Sequence, residues 1–224
     1  MSPELLRRGV AELVGTAFLV AAVVGSGIAA QRLSPDDVGL QLLQNSLATG
    51  AALVALILAL QPVSASFNPV VTVVERVLHR ITTTTALVLV LAQVVGGAVG
   101  AVVANLMFEL DAVVVSAHER TGSGVLLGEV VATAGLVLVV FGALRSPRVE
   151  VVAFAVGGYI AAAYWFTSST SFANPAVTLA RTLSDTFAGI APESVPAFVL
   201  MQLLGGALGA ALVLVLHPTA QEAT

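Results

Sequence analysis

Long apolar runs, broken by short polar gaps, set the pattern of this chain. A helix that crosses a bilayer needs about 20 mostly apolar residues. Six runs reach or approach that length, at about 8–30, 38–60, 84–107, 123–144, 149–167 and 195–216. The first carries Glu12 and is followed by further spans, so it reads as a transmembrane helix and not as a removable leader. Two of the gaps are longer than the others. Residues 61–80 separate the second and third runs, and 168–192 separate the fifth and sixth. Each contains an Asn-Pro pair followed by a short stretch of helical character before charge returns, at Glu75 and Arg76 in one and at Arg181 and Asp185 in the other. Ten helical residues rise about 15 Å, roughly half the hydrocarbon core. Each gap is therefore predicted to hold a half-helix that enters the membrane and stops near its midplane.

The two halves repeat. Glu12-Leu13-Val14-Gly15-Thr16-Ala17 matches Glu129-Val130-Val131-Ala132-Thr133-Ala134, and Gln93-Val94-Val95-Gly96-Gly97 matches Gln202-Leu203-Leu204-Gly205-Gly206. Between those landmarks, Ser66-Phe67-Asn68-Pro69-Val70 answers Ser171-Phe172-Ala173-Asn174-Pro175-Ala176. Repeat one covers about 8–107 and repeat two about 123–216, within a single domain over 1–224. Three spans per repeat is an odd number, so the second copy must lie upside down in the membrane. The expected fold is all-α: six transmembrane helices plus two re-entrant half-helices in an inverted 3+3 repeat.

Composition sharpens the picture. Hydrophobic residues make up 58% and charged residues 10%, against roughly 25% charged in a soluble domain. The bilayer is thus the solvent. With no cysteine, disulfides, thiol nucleophiles and cysteine metal sites are excluded. A net charge of −4 with no basic tract leaves no footprint for nucleic acid. Arg7, Arg8, Arg76, Arg80, Arg145 and Arg148 fall on one side of a six-span topology, and the positive-inside rule makes that side cytoplasmic. Both termini are then expected in the cytoplasm, with the first half-helix entering from inside and the second from outside.

Asparagine is a preferred N-cap and proline a preferred first helical residue. A half-helix opened by Asn68-Pro69 or Asn174-Pro175 presents free N–H groups and the positive end of its dipole at mid-membrane. Two such ends facing a lumen let a neutral solute accept hydrogen bonds from the asparagine amides and oppose a cation. Glu12 and Glu129 lie inside spans, where an acid is by default a functional residue. A proton relay is one role. The favoured one is support of the re-entrant loops, whose non-helical backbone needs acceptors at that depth. Gly96/Gly100 and Gly205/Gly209 form Gly-x-x-x-Gly pairs that let helices approach closely, either between the repeats or between subunits. His79, His118 and His217 are far apart near predicted helix ends and read as solvated side chains.

Six spans and two half-helices carrying Asn-Pro resemble the major intrinsic protein family, the aquaporins and aquaglyceroporins, from about residue 8 to 216. Asn174-Pro175-Ala176 matches the family's Asn-Pro-Ala motif fully; Asn68-Pro69-Val70 departs from it at the third place. Ser66 stands where the family usually has histidine. The resemblance implies a passive channel for small uncharged solutes without a cofactor or resident metal, and a homotetramer. It also assigns the outer constriction to Thr49, Ser171, Val177 and a fifth-helix position near Ala163, with Tyr159 as the alternative. Water- and glycerol-conducting members usually carry arginine where this chain has Val177, so the resemblance implies a wide filter without arginine. Arg181, four residues on and one turn deeper into the half-helix, is within reach of the lumen, but the favoured role is pairing or snorkelling near the outer surface. The stretch from Phe166 through Val177 to Ile190 resembles a bacterial branch linked to arsenite movement, which points to glycerol-like triols, including arsenite, with some water. A secondary transporter is the rival reading, since inverted repeats and broken helices serve carriers as well. An enzyme is not expected, because no nucleophile–base pair or metal cluster stands in the spans.

Overall fold

The structure is a computed structural model that describes residues 1–217; the last residues of the expected 1–224 domain, 218–224, lie outside it. Its elements are α1 (Pro3–Leu33), α2 (Val38–Leu60), α3 (Pro69–Val77), α4 (Thr83–Met107), α5 (Ser123–Ala143), α6 (Glu150–Phe166), α7 (Pro175–Ala180) and α8 (Val195–Leu216), with no strand among the described residues. Local chemistry explains where several of them begin. Ser2, Asp37 and Thr82 each accept the backbone N–H three residues on and so cap α1, α2 and α4. Asn68 and Asn174 cap α3 and α7, each with proline at the first helical position.

Five helices are long and apolar enough to cross a membrane. The sixth long helix, α6, has 17 residues and rises about 25 Å, at the short end of what spans a bilayer. α3 and α7 are shorter still, with 9 and 6 residues. The polarity of the molecule is inverted relative to a soluble protein. Phe18, Leu87, Leu91 and Phe154 are at least 60% exposed, whereas Glu12, Gln93, Glu129 and Gln202 are fully buried. Only a hydrocarbon solvent makes that distribution favourable.

The glycine pairs pack within each repeat. A Cβ on Gly96 or Gly100 would lie 2.2 Å from the carbonyl oxygens of Leu13 and Ala17, so α4 rides directly on α1. Gly205 and Gly209 stand 2.5 and 2.6 Å from the Val130 and Ala134 oxygens on the same measure, placing α8 on α5. The next glycine on each helix crosses to the other repeat: Gly97 faces Ala176 and Ala180 of α7, and Gly206 faces Val70 of α3. Gly50 and Gly157 bring α2 and α6 together backbone to backbone. Small residues thus join the halves at three places, and all three surround the two half-helices and the space between them.

Arginines mark the two ends. Arg145 donates to the His217 carbonyl, Arg76 to Thr83, and Arg80 lies over the Phe141 ring, all at one end of the bundle. At the other end Arg32 donates to the Phe108 carbonyl and Arg120 to those of Phe187 and Gly189.

Candidate functional site: a pore lined by two half-helices

The half-helices meet N-terminus to N-terminus. Phe67 and Ala173, each directly before the asparagine, have φ of 48° and 46°, a left-handed backbone that costs a non-glycine residue about 1 kcal/mol or more. That turn aims each carbonyl at the opposite half. Asn68 Nδ2 donates to the Ala173 oxygen and Asn174 Nδ2 to the Phe67 oxygen, both at 2.7 Å. The asparagine oxygens cap their own helices, Asn68 accepting from Val70 N and Asn174 from Ala176 N and Val177 N. One hydrogen of each amide is therefore spent on the cross-link between repeats. This modifies the expectation that both amides simply point into the lumen: the second hydrogen alone is left for a solute.

Behind each loop stands one of the buried glutamates. Glu12 accepts from Ser64 Oγ, Ser66 N, Phe67 N and Gln93 Nε2 at 2.6 to 2.8 Å. Glu129 accepts from Phe172 N, Ala173 N and Gln202 Nε2. The glutamines complete the symmetry, Gln93 donating to Thr72 in α3 and Gln202 to Thr178 in α7. Each carboxylate thus ties a re-entrant loop, a long helix and a half-helix together. Their oxygens point into the loop backbone, and neither glutamate lines the cavity described next.

That cavity runs past both asparagines, and its outline, including the part open to solvent, encloses about 690 Å³. One wall is a stripe at four-residue spacing on α6, Val152, Val156, Ile160 and Tyr164; the facing stripe on α2 is Thr49, Leu53 and Ile57. Twelve residues along α6 rise about 18 Å. Leu19 and Val23 of α1 and their repeat partners Leu136 and Val140 of α5 add further apolar lining. Polar lining gathers at the asparagines and at one mouth, where Thr49 Oγ1 and Tyr164 OH lie 3.2 Å apart and Ser171 Oγ is buried without a partner.

Thr49, Ser171, Val177, Asn68 and Asn174 all line the cavity, but the fifth-helix residues expected with them do not. Ala163 is fully buried off the lumen, its carbonyl taken by Thr167. Tyr159 points away, its hydroxyl on the Ala132 carbonyl and its ring edge-on to Phe166. Tyr164 holds the place instead, because it shares the four-residue stripe of Ile160 and Val156. That periodicity was the readable signal. Pro69, Val70, Pro175 and Ala176 are buried in the first turns of the half-helices, where Val70 packs against Gly206 and Ala176 against Gly97 of the opposite repeat.

Arg181 requires a second correction. It is 2% exposed and lines the cavity; it does not snorkel to a surface. α7 stops at Ala180 and a 3-10 turn, Arg181–Leu183, follows. The guanidinium lies over the Phe172 ring, 3.5 Å from its centroid, and Nε donates to the Ala188 carbonyl. Arg120 reaches the same ring from the loop before α5, at 4.9 Å, and burial lowers its guanidinium to about 10. The level of Val177 is free of arginine, yet the cavity as a whole is not.

Helices that span a bilayer, two half-helices cross-linked at their N-termini and a continuous cavity between them define an integral membrane channel. The chain belongs to the major intrinsic protein family, whose sequence profile matches residues 1–168 and 146–224. It is 50% identical over 210 residues to the aquaglyceroporin AqpS of Rhizobium meliloti (strain 1021), covering 93% of this chain and 89% of that one. Its fold is similar to the X-ray structure of the aquaglyceroporin from Plasmodium falciparum, with a TM-score of 0.73 at 17% identity over 93% of this chain and 95% of that one. Membership makes the protein a channel and not an enzyme. No cluster of three or more metal-ligating side chains occurs among the described residues.

Proposed function

We propose that the protein conducts small uncharged polyols, glycerol and arsenite triol ahead of water, through a filter made by Thr49, Tyr164, Ser171 and Val177. The observation that carries this reading is the composition of the mouth: two hydroxyls bonded to each other, one free buried hydroxyl and an isopropyl group, with no charge at that level. A triol presents hydroxyls that can exchange hydrogen bonds with Ser171 and with the Thr49–Tyr164 pair, while its carbon or arsenic centre slides along Val177 and the apolar stripe. Asn68 and Asn174 then offer their remaining amide hydrogens halfway through. Similarity to an aquaglyceroporin supports glycerol; Val177 in place of a bulky cation supports the metalloid triol of similar shape.

In this reading the channel sits in a bacterial plasma membrane as a homotetramer. The end holding Arg76, Arg80 and Arg145 faces the cytoplasm, and the mouth with Arg181 faces outward. Glu12 and Glu129 hold the loops, and the lumen carries solute along a passive gradient. Stopped-flow measurement of water, glycerol and arsenite in one proteoliposome preparation tests it. Linear, non-saturating fluxes with glycerol and arsenite well above protein-free liposomes are expected. Water flux alone, or saturation with dependence on an ion gradient, would overturn it.

A further inference from the structure

The outer mouth has a chemistry that conduction of neutral solutes does not use. Two arginines converge on Phe172, Arg181 from the end of α7 and Arg120 from the loop before α5. Between them they take three consecutive carbonyls: Phe187 and Gly189 accept from Arg120, and Ala188 accepts from Arg181. Carbonyls orient a guanidinium without neutralising it. Among the described residues no hydrogen bond joins either guanidinium to a carboxylate. Glu129, the acid whose field both arginines feel, has its oxygens engaged by Phe172 N, Ala173 N and Gln202. Asp185 accepts from Ala117 N and Ser116 Oγ. The two cations therefore repel each other in a partly dehydrated place, with no carboxylate hydrogen-bonded to either of them.

Arg181 also has donors to spare. Its Nε is engaged, but Nη1 and Nη2 donate to no group among the described residues, and the side chain lines the cavity. An unpaired guanidinium edge, fixed by a carbonyl behind it and an aromatic face beside it, matches the two oxygens of a carboxylate. A lone buried charge is costly unless paired, so the pocket gains from an anion.

We propose that Arg181, supported by Arg120, forms a binding site at this mouth for a small monovalent carboxylate of formate size. The anion accepts from the Nη edge of Arg181 and plugs the lumen there, and the long apolar stripe beyond the asparagines opposes its passage. This site is independent of which neutral solutes pass.

Carbon-13 formate titrated against the purified full-length protein in detergent, at constant ionic strength with chloride as the balancing anion, tests the proposal. The wild-type protein should broaden the formate signal with half-saturation at about 10 mM, as expected of one partly hydrated bidentate pair. Arg181→Gln should abolish the broadening, and Arg181→Lys, which keeps the charge but loses the fork, should raise half-saturation about tenfold. In liposomes, formate on both sides should slow the wild-type flux of whichever neutral solute passes about sixfold at 50 mM, as the same half-saturation requires of a plug. A sharp formate signal with the wild-type protein would overturn the proposal, and so would equal broadening by Arg181→Gln. If Arg181→Gln does not fold, an Arg181→Lys half-saturation equal to wild type does the same.

Discussion

Glu12→Gln separates loop support from proton relay, because the substitution keeps shape and removes charge. Oε1 of Glu12 accepts from Ser64 Oγ and Ser66 N, and Oε2 from Phe67 N and Gln93 Nε2. Glutamine turns one of these oxygens into a donor. In the least costly arrangement the new amide nitrogen takes the Oε1 position and the Ser64 hydroxyl rotates to accept from it. Ser66 N–H then faces another donor. With the nitrogen at Oε2, Gln93 can flip to offer its unpartnered oxygen and the Thr72 hydroxyl can turn to donate to it, but Phe67 N–H is stranded. Either way one backbone N–H is orphaned, at about 1–3 kcal/mol. The remaining bonds lose their charge assistance, at roughly 0.5 kcal/mol each. The total is about 3 kcal/mol, roughly a hundredfold in an equilibrium constant.

Equilibrium unfolding of Glu12→Gln and wild-type protein in mixed micelles measures this, with amide hydrogen exchange at Ser66 and Phe67 as the local readout. Exchange should accelerate first in this loop, since its left-handed turn at Phe67 is held from behind by the carboxylate. Stability within about 0.5 kcal/mol of wild type would refute the argument, because no rearrangement satisfies every donor. A stable variant that altered only the pH dependence of flux would point to the relay instead.

Other substitutions probe the pore and its packing. Val177→Arg puts a guanidinium at the level of Ser171 and one turn from Arg181, and should cut glycerol flux at least about tenfold while cutting water flux less than about threefold; equal losses in stopped-flow traces would refute Val177 as a filter residue. Asn174→Asp still caps α7 but faces the Phe67 carbonyl with an acceptor, so it should lose about 1–3 kcal/mol of stability and admit cations, read as proton or sodium leak in the same liposomes; wild-type stability and ion exclusion would count against the cross-link. Gly100→Ala sets a Cβ 2.2 Å from the Ala17 oxygen and should destabilise by about 2 kcal/mol or more. Gly158→Ala, with nothing within 4 Å, should be neutral or gain a few tenths of a kcal/mol from helix propensity; similar unfolding midpoints for the two would contradict the packing of α4 on α1.

Helix positions were legible in the sequence because their determinants are local, though α1, at Pro3–Leu33, extends past both ends of the apolar run at 8–30. Hydropathy over a window located the long helices, and Asn-Pro marked the start of α3 and α7 to the residue. What failed required knowledge of helix phase. Ala163 and Tyr159 are within one turn of Tyr164, yet only Tyr164 continues the stripe set by Val152, Val156 and Ile160. No motif fixes the rotation of α6; its contact with α2 through Gly157 and Gly50 does. Arg181 was misplaced for a related reason. A separation of four residues already puts it on the lumen face with Val177, but the partner that keeps it there, the Ala188 carbonyl beyond the 3-10 turn, is not readable from that spacing. The partners of the Gly-x-x-x-Gly pairs were also open, since close approach is a property of two helices and one sequence motif describes only one of them.

The proposed filter, with no arginine at Val177, still needs a barrier to cations, and the placement of Arg181 offers one. Arginine at the level of Val177 would supply charge and constriction together. Moving the guanidinium four residues along a helix shifts it by about 6 Å. At an effective dielectric constant of 20, a monovalent cation level with Val177 would still meet about 3 kcal/mol of repulsion across that distance. In bulk water the same separation gives under 1 kcal/mol, so the effect depends on the desolvation that Phe172 and the buried setting of Arg181 provide. The half-helix N-termini at Asn68 and Asn174 add positive potential deeper in the pore. In the proposed filter, width at Val177 and charge at Arg181 would thus be set by different residues, and each could change without the other.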